Sequence, residues 1–456
     1  MVKKASFMLL AFALVFLSAC TSTGGGGGTS GESGAQSASS DAGETESAGN
    51  GASGNQVEEL ILYTADTNEE LQRELYKQFE EEHQVKIKII AVESTKYVEN
   101  FMASHNAKQP IDIVGLNGQD VRFFASSGII KDLTDSVSYT DRFHESALAP
   151  YQMDGRTYAI PTGSMGSSGL FYNKKVFEQH GLEPPQTYDD LLAIAGTLKP
   201  QGISALGFGG ATTYMWPMWF FQTFAQTSGN HSVERTIATL RGEAKFTDPD
   251  YVAAMEALQK FGEDEMFQPG VNGVDTAGGL AVFSTGKSAM FYGGSWEYGG
   301  FLKTEQENPD TFELGIVTFP MLDAGAEKPQ QTGGSGLAAG IYANIAPEKE
   351  ELALKFIDFM SSDEVNKQAL TKTNGLFSVN KNVQSEDRHP VVQALTDNHL
   401  PQTVTFLDWY WPPEVTKGFQ DNIQAVVGGQ KEPLKALEEI QAVFDDLVAK
   451  GYKFDN

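Results

Sequence analysis

The 456-residue chain contains one cysteine, Cys20. A lone thiol excludes an internal disulfide framework and every CxxC or mixed Cys/His zinc spacing, and no HExxH occurs. The seven histidines are scattered without paired metal spacing, so neither a metal nor another cofactor is expected. No serine in the Gly-rich stretches completes G-x-S-x-G, which removes the hydrolase elbow. Cations are scarce: 33 Lys and Arg stand against 60 Asp and Glu, a formal net charge of −27. That balance argues against binding nucleic acid or an anionic lipid surface through charge. It also disfavours an anionic ligand unless a local basic pocket overrides the total. Long apolar runs are missing too. Residues 7–17 form one, short of the roughly twenty residues a membrane-spanning helix needs, and no later segment matches it. No internal repeat is visible.

What the N-terminus does have is Lys3-Lys4, that apolar run, and the small residues Ser18-Ala19. Charged, apolar and small segments in this order read as a secretory signal. Leu17-Ser18-Ala19-Cys20 resembles the lipobox of bacterial lipoproteins. The resemblance implies that residues 1–19 are a signal peptide and that the Cys20 thiol is acylated, anchoring the protein to a membrane. The alternative is an ordinary signal with a cysteine beside it. Residues 21–56 are almost wholly Gly, Ser, Ala and Thr, with a few acids and no aromatic residue. Such a stretch buries too little apolar surface to offset its chain entropy and reads as a disordered tether. It would hold the folded part on the order of 30 Å from the membrane. The expected location is the extracellular face of the cytoplasmic membrane, with the leash composition pointing to a Gram-positive surface.

The remaining 400 or so residues are too many for one compact core and suggest two domains. Leu60-Ile61-Leu62-Tyr63 is a continuous apolar run, as in a strand buried on both faces. Leu71, Leu75 and Phe79 then recur at helical spacing behind Glu69-Glu70, and Val85, Ile87 and Ile89 alternate with lysines. This is a β-α-β unit. Ile111-Asp112-Ile113-Val114 predicts a further strand, with a helix starting near Asp120. In open α/β sheets ligands sit at the carboxyl ends of strands, which makes residues 64–68 and 117–120 candidate contacts, with Thr64, Asp66, Asn117 and Asp120 the polar ones. Thr247-Asp248-Pro249 and Pro347 open helices, Ser361-Ser362-Asp363-Glu364 has the spacing of a capping box, and an amphipathic helix closes the chain through Leu434, Leu437, Ile440, Phe444 and Leu447.

Four stretches, in order, carry a wider resemblance. They are Ile111-Asp112-Ile113-Val114 through Gly128-Ile129-Ile130-Lys131-Asp132-Leu133, and Asp154-Gly155-Arg156-Thr157-Tyr158-Ala159-Ile160-Pro161 through Tyr188-Asp189-Asp190-Leu191. The others are Phe283-Ser284-Thr285-Gly286-Lys287 through Gly293-Gly294-Ser295-Trp296, and Gly333-Gly334-Ser335-Gly336-Leu337 with the helix ending Phe359-Met360. Together they resemble the sugar-binding family of extracellular solute-binding proteins of ABC importers, which includes maltose-binding protein. The resemblance implies an α/β, two-lobed periplasmic-binding-protein-like fold, each lobe a mostly parallel sheet flanked by helices, with a ligand cleft between. It places lobe 1 at 57–165 plus 334–405 and lobe 2 at 166–333 plus 406–456. Chain crossings are expected at 161–168, 331–335 and 406–412. The implied partners are an oligosaccharide and the transmembrane subunits of an ABC permease, for a monomer with no catalytic activity. Loop lengths and hinge aromatics depart from maltose-binding protein, so maltose itself is not implied.

All five tryptophans lie in three short stretches flanked by Gly or Pro: Trp216 and Trp219, Trp296, then Trp409 and Trp411. An indole covers the flat C–H face of a sugar while acids and amides bond its hydroxyls. Trp219, beside Phe220 and Phe221, reads as core. Trp296 and Trp411 are expected at the ligand, as the resemblance places contacts in these loops, together with Glu297 and Gly334. Trp216 and Trp409 are balanced between core and site. The rival class is a surface glycoside hydrolase, which needs two carboxylates about 5 to 9.5 Å apart across a cleft; Glu297 and Asp408 are the pair on offer. A third reading keeps the fold and changes the ligand to a peptide, a polyamine or a glycerol-phosphate ester; the phosphate ester would call for a cation, with Arg122 and Arg156 the nearest candidates.

Overall fold

The computed structural model describes residues 59–93, 96–323, 325, 327–373 and 376–454. Cys20, the signal-like segment and the Gly/Ser-rich stretch lie outside the described residues. Among the described residues no helix is long and apolar enough to cross a membrane.

The predicted β-α-β unit forms at the start: strand Glu59–Thr64, helix Glu69–His83 and strand Lys86–Ala91. The Asn68 side chain caps the helix by accepting from the Leu71 amide at 3.3 Å. The two strands pair in parallel, and Ile113–Leu116 pairs on the other side of the first. Ala338–Ile341 and then Ile160–Pro161 add antiparallel, giving a five-stranded sheet. Alternate side chains of the apolar runs enter two different cores. Leu60, Leu62 and Ile113 pack on one face with Phe79 and Phe356, while Tyr63, Val114 and Leu116 pack on the other with Phe101 and Phe124. This is why the runs are continuous rather than alternating. Asp112 interrupts the apolar pattern for a structural reason. Its carboxylate accepts from the Ile61 amide at 2.8 Å and from Lys349 Nζ at 2.8 Å.

A second sheet runs Thr403–Thr405, Gln331–Ser335, Ser164–Asn173, Ser288–Gly294, Ser204–Gly207, with Leu314–Val317 and Phe377–Ser378 also pairing to the central strand. That strand is antiparallel to all four of its partners, so the sheets are mixed and not mostly parallel as expected. Its core is aromatic. The helix Trp216–Thr227 is buried over ten consecutive residues from Trp216 to Ala225, eight of them apolar as an enclosed helix requires, with Gln222 and Thr223 the two polar ones.

The chain passes between the sheets at residues 162–163 and again at Gly336 and Leu337. These passages are tied together: the Thr162 amide donates to the Leu337 carbonyl and the Gly336 amide to the Ser164 carbonyl, both at 3.0 Å. The third passage is not at 406–412 as expected. Strand 403–405 already pairs in the second sheet, and helix Pro413–Val427 buries Val415, Phe419 and Ile423 in the same core. The third passage is spread over residues 376–391: Leu376 lies in the second core and Phe377–Ser378 pairs with the second sheet, Val379 lies in the first core, and Val391 lies in the second again. Residues 390–405 therefore pack with the second lobe, although the resemblance put them with the first; Val391, Val392 and Leu395 are apolar anchors there. The capping box also differs. Ser362, not Ser361, accepts from the Val365 amide, at 3.4 Å, while the Ser361 hydroxyl donates to the Asp358 carbonyl.

Candidate functional site

Where the two sheets face each other, a floor of glycines carries three aromatic rings. Gly166 and Gly334 are paired across neighbouring strands. A Cβ on Gly334 would lie 2.6 Å from Trp409 Cη2, and one on Gly166 would lie 3.0 Å from Trp296 Cε3. Gly334 also has φ 151°, which side chains rarely adopt. Across the gap, a Cβ on Gly118 of helix Gly118–Ser126 would overlap the same Trp409 indole. Trp409 is thus held between glycine backbones of both lobes. Phe406 stands between the tryptophans, its centroid 6.1 Å from Trp296 and 5.3 Å from Trp409.

Two local devices hold this wall. The Ser295 hydroxyl accepts from the Ser167 amide at 3.2 Å, fixing the turn that bears Trp296. The Phe406 amide donates to the Gly333 carbonyl at 3.2 Å, seating the loop that bears Trp409. Trp296 is 50% exposed and Tyr214 43%, large apolar surfaces left open in a protein that buries Trp216, Trp219 and Trp411.

Three carboxylates accompany the rings. Asp120 is 5% exposed and Asp408 lies beside Trp409; each has a buried oxygen, Oδ2 and Oδ1 respectively, with no hydrogen-bond partner among the described residues. Burial pushes Asp120 up to about 7, against the pull of the Asn117 backbone bond, and the Asp408 charge adds to the rise. Asp408 is itself pushed up to about 7 by burial. Burial does the same to Glu297, also to about 7, with the bond from Trp296 opposing. Unsatisfied acceptors of this kind ask for hydroxyl or N–H donors from a ligand.

Of the residues singled out from sequence, Asn117, Asp120, Trp296, Glu297, Gly334 and Trp409 are brought to this wall. Trp216 and Trp411 are not. Trp216 is fully buried, its N–H donating to the Gly210 carbonyl at 2.9 Å and its ring edge-on to Phe208. Trp411 is 4% exposed and stacked on Phe419 at 4.0 Å. Both are core, because the helices they adjoin need aromatic filler more than the cleft needs planes. Trp219 is core as read. Thr64 and Asp66 line a separate cavity beside the chain passages. Gly118 lies inside the candidate stretch 117–120 and Gly166 inside the expected crossing at 161–168; sequence reasoning missed Phe406 and Tyr214 as site residues. Phe406 alone carried a signal, standing three residues before Trp409 in the same loop.

Neither candidate arginine joins the wall. Arg156 pairs with Asp132 at 3.4 Å. Arg122, from the first lobe, lies over Tyr410 and Phe454 of the second, 5.6 and 4.9 Å from their ring centroids. It lines an interlobe cavity of about 400 Å³ with Trp409 and Asp154.

Residues 74–399 match the family described as bacterial extracellular solute-binding protein. The sn-glycerol-3-phosphate-binding periplasmic protein of Brucella melitensis is 24% identical over 407 residues, covering 81% of this chain and 88% of that one. A solved chitin oligosaccharide binding protein superposes with a TM-score of 0.77 at 23% identity, over 87% of this chain and 100% of that chain. A solute-binding protein in complex with raffinose gives a TM-score of 0.68 at 20% identity, over 85% and 99%. These likenesses establish the two-lobed periplasmic-binding-protein-like fold.

Proposed function

Since the chain belongs to the bacterial extracellular solute-binding proteins, we propose that it captures a neutral oligosaccharide between its lobes and delivers it to the transmembrane subunits of an ABC importer. The family places the protein outside the cytoplasm, extracellular or periplasmic. The observation that carries the ligand class is the Trp296–Phe406–Trp409 wall on a glycine floor, with unpartnered Asp120 and Asp408 oxygens beside it. Rings cover sugar C–H faces, and the carboxylates take hydroxyl hydrogens. Similar proteins named for chitin oligosaccharide and in complex with raffinose support the same class. Cys20 would carry the lipid, and residues 21–56 would be the leash of a monomer at a Gram-positive surface. Catalysis is not part of this reading: the acids bind, and the ligand leaves intact.

One observation favours a second reading. Arg122 shares a cavity with Trp409, and a relative is named for sn-glycerol 3-phosphate. A thermal-shift screen of oligosaccharides and phosphate esters separates the two, since a ligand at a hundredfold excess over Kd adds about 2.7 kcal/mol. Stabilisation by raffinose or chitin oligosaccharides, with reducing ends unchanged afterwards, is the expected result. Stabilisation by glycerol 3-phosphate alone would replace the sugar reading.

A further inference from the structure

Beside the chain passages lies a cavity of about 190 Å³ that shares no lining residue with the aromatic wall. Both passages form one side of it, at residues 162–164 and at Gly336 and Leu337, where the two amide–carbonyl bonds tie them together. Helices Glu69–His83 and Asp363–Thr373 close the other side through Gln72, Tyr76 and Asn366.

The lining is chemically one-sided. Leu62, Leu75 and Met360 present an apolar surface. Gln72 is 3% exposed, and its amide nitrogen donates to the Asp66 carbonyl at 2.9 Å, which fixes the amide's orientation. Its Oε1 is left buried with no partner among the described residues. Asn366, by contrast, is satisfied, donating to the Ser362 carbonyl at 3.0 Å and accepting from the Ser378 hydroxyl at 2.9 Å. Among the described residues no Lys, Arg or His lines the space, so none of them compensates an anion there. A buried acceptor costs free energy until a donor reaches it, and the nearby Asp66 carboxylate offers further acceptors.

We propose that this cavity is a second ligand site, taking a small uncharged polyhydroxyl molecule of about monosaccharide size. The Gln72 Oε1 atom and the Asp66 carboxylate accept its hydroxyls, and the leucines cover its C–H face. Because its occupant touches both passages, it favours one disposition of the lobes over the other and so changes affinity at the aromatic wall. That coupling, though not the second site itself, rests on the wall being the main site.

The test uses the full chain with D-glucose and glycerol as cavity probes and raffinose as the wall probe. Saturation-transfer NMR and calorimetry are run on wild type, Trp409→Ala, Ala369→Phe and Gln72→Met. Ala369 lies on the cavity wall, so a phenyl ring there fills it. Cavity-probe binding should survive Trp409→Ala and weaken about tenfold in Gln72→Met, the scale of one lost hydrogen bond; it should vanish in Ala369→Phe. Saturating glucose should shift the raffinose Kd about fivefold in wild type and not in Ala369→Phe. Should Gln72→Met fail to fold, Ala369→Phe decides alone. Probes lost in Trp409→Ala but kept in Ala369→Phe would overturn the second site, as would no binding of either probe to wild type. If raffinose never binds while glucose does so in an Ala369-sensitive way, the reading of the wall fails and the cavity site stands.

Discussion

Trp409 and Trp411 are two residues apart, and their replacement by alanine should fail in opposite ways. Trp411 is 4% exposed, with Phe419 parallel at 4.0 Å and 12°, and Phe221 edge-on at 5.6 Å. Removing the indole forfeits its burial and leaves a hole between rings too rigid to collapse, which costs about 3–5 kcal/mol. Against a total stability of about 5–15 kcal/mol, that shifts the urea midpoint strongly or prevents folding. Trp409 instead lies against the backbones of Gly118 and Gly334, at the gap rather than in a core. Its loss removes a plane the ligand uses, about 2 kcal/mol or more, or roughly 30-fold in Kd, with little change in the midpoint. Urea melts and calorimetry with the best ligand of the screen measure both. A Trp411→Ala protein with the wild-type midpoint and lost affinity would refute the assignment, as would Trp409→Ala binding like wild type.

Trp296→Ala should also weaken binding by about 2 kcal/mol with stability unchanged, read in the same calorimetry. Gly118→Ala puts a methyl into the Trp409 ring and should reduce affinity without lowering the melting temperature of the isolated protein by more than a few degrees; unaltered affinity would show that Trp409 does not need that contact. Asp120, Asp408 and Glu297 hold their protons up to about pH 7 in the folded chain, and the unfolded chain releases them near pH 4. Their contribution to stability is therefore fully present below about pH 4 and is lost as pH rises through about 7. Unliganded Asp408→Asn should show a flatter decline than wild type between about pH 5 and pH 8, and an identical slope in both would show that Asp408 is solvated. Cys20→Ala should release the protein from membranes or leave it unprocessed, as followed by fractionation.

The first lobe was legible because its strands announce themselves. Leu60-Ile61-Leu62-Tyr63 can be continuous only if both faces are covered, and the helix between Glu69 and His83 has acids at its start and apolar residues at helical spacing. The site was half legible. Asn117 and Asp120 follow from the end of a strand, and Trp296 and Trp409 from their loops. Trp216 and Trp411 sit in equally Gly- or Pro-flanked stretches, yet they turn inward. Local sequence does not say which side of a loop an indole faces; Phe208, Phe419 and the helices packed around them decide it. The third passage was misplaced for a related reason. Residues 406–412 touch the first lobe through Gly118 without the chain entering it, and contact and connection leave the same signature in a single sequence.

The glycine floor restricts how this receptor can be retargeted. Gly118, Gly166, Gly294 and Gly334 meet the rings with main chain alone, so no exchange of side chains there can alter what the floor presents, and any added carbon displaces a tryptophan. Variation in preference is confined to the two segments standing on it, the turn at residues 295–297 and the loop at residues 406–412. Each is a short insert anchored at one end by a single main-chain amide, from Ser167 to Ser295 and from Phe406 to Gly333. Such inserts can be transplanted as units, and a library confined to them would sample new saccharides on an unchanged platform.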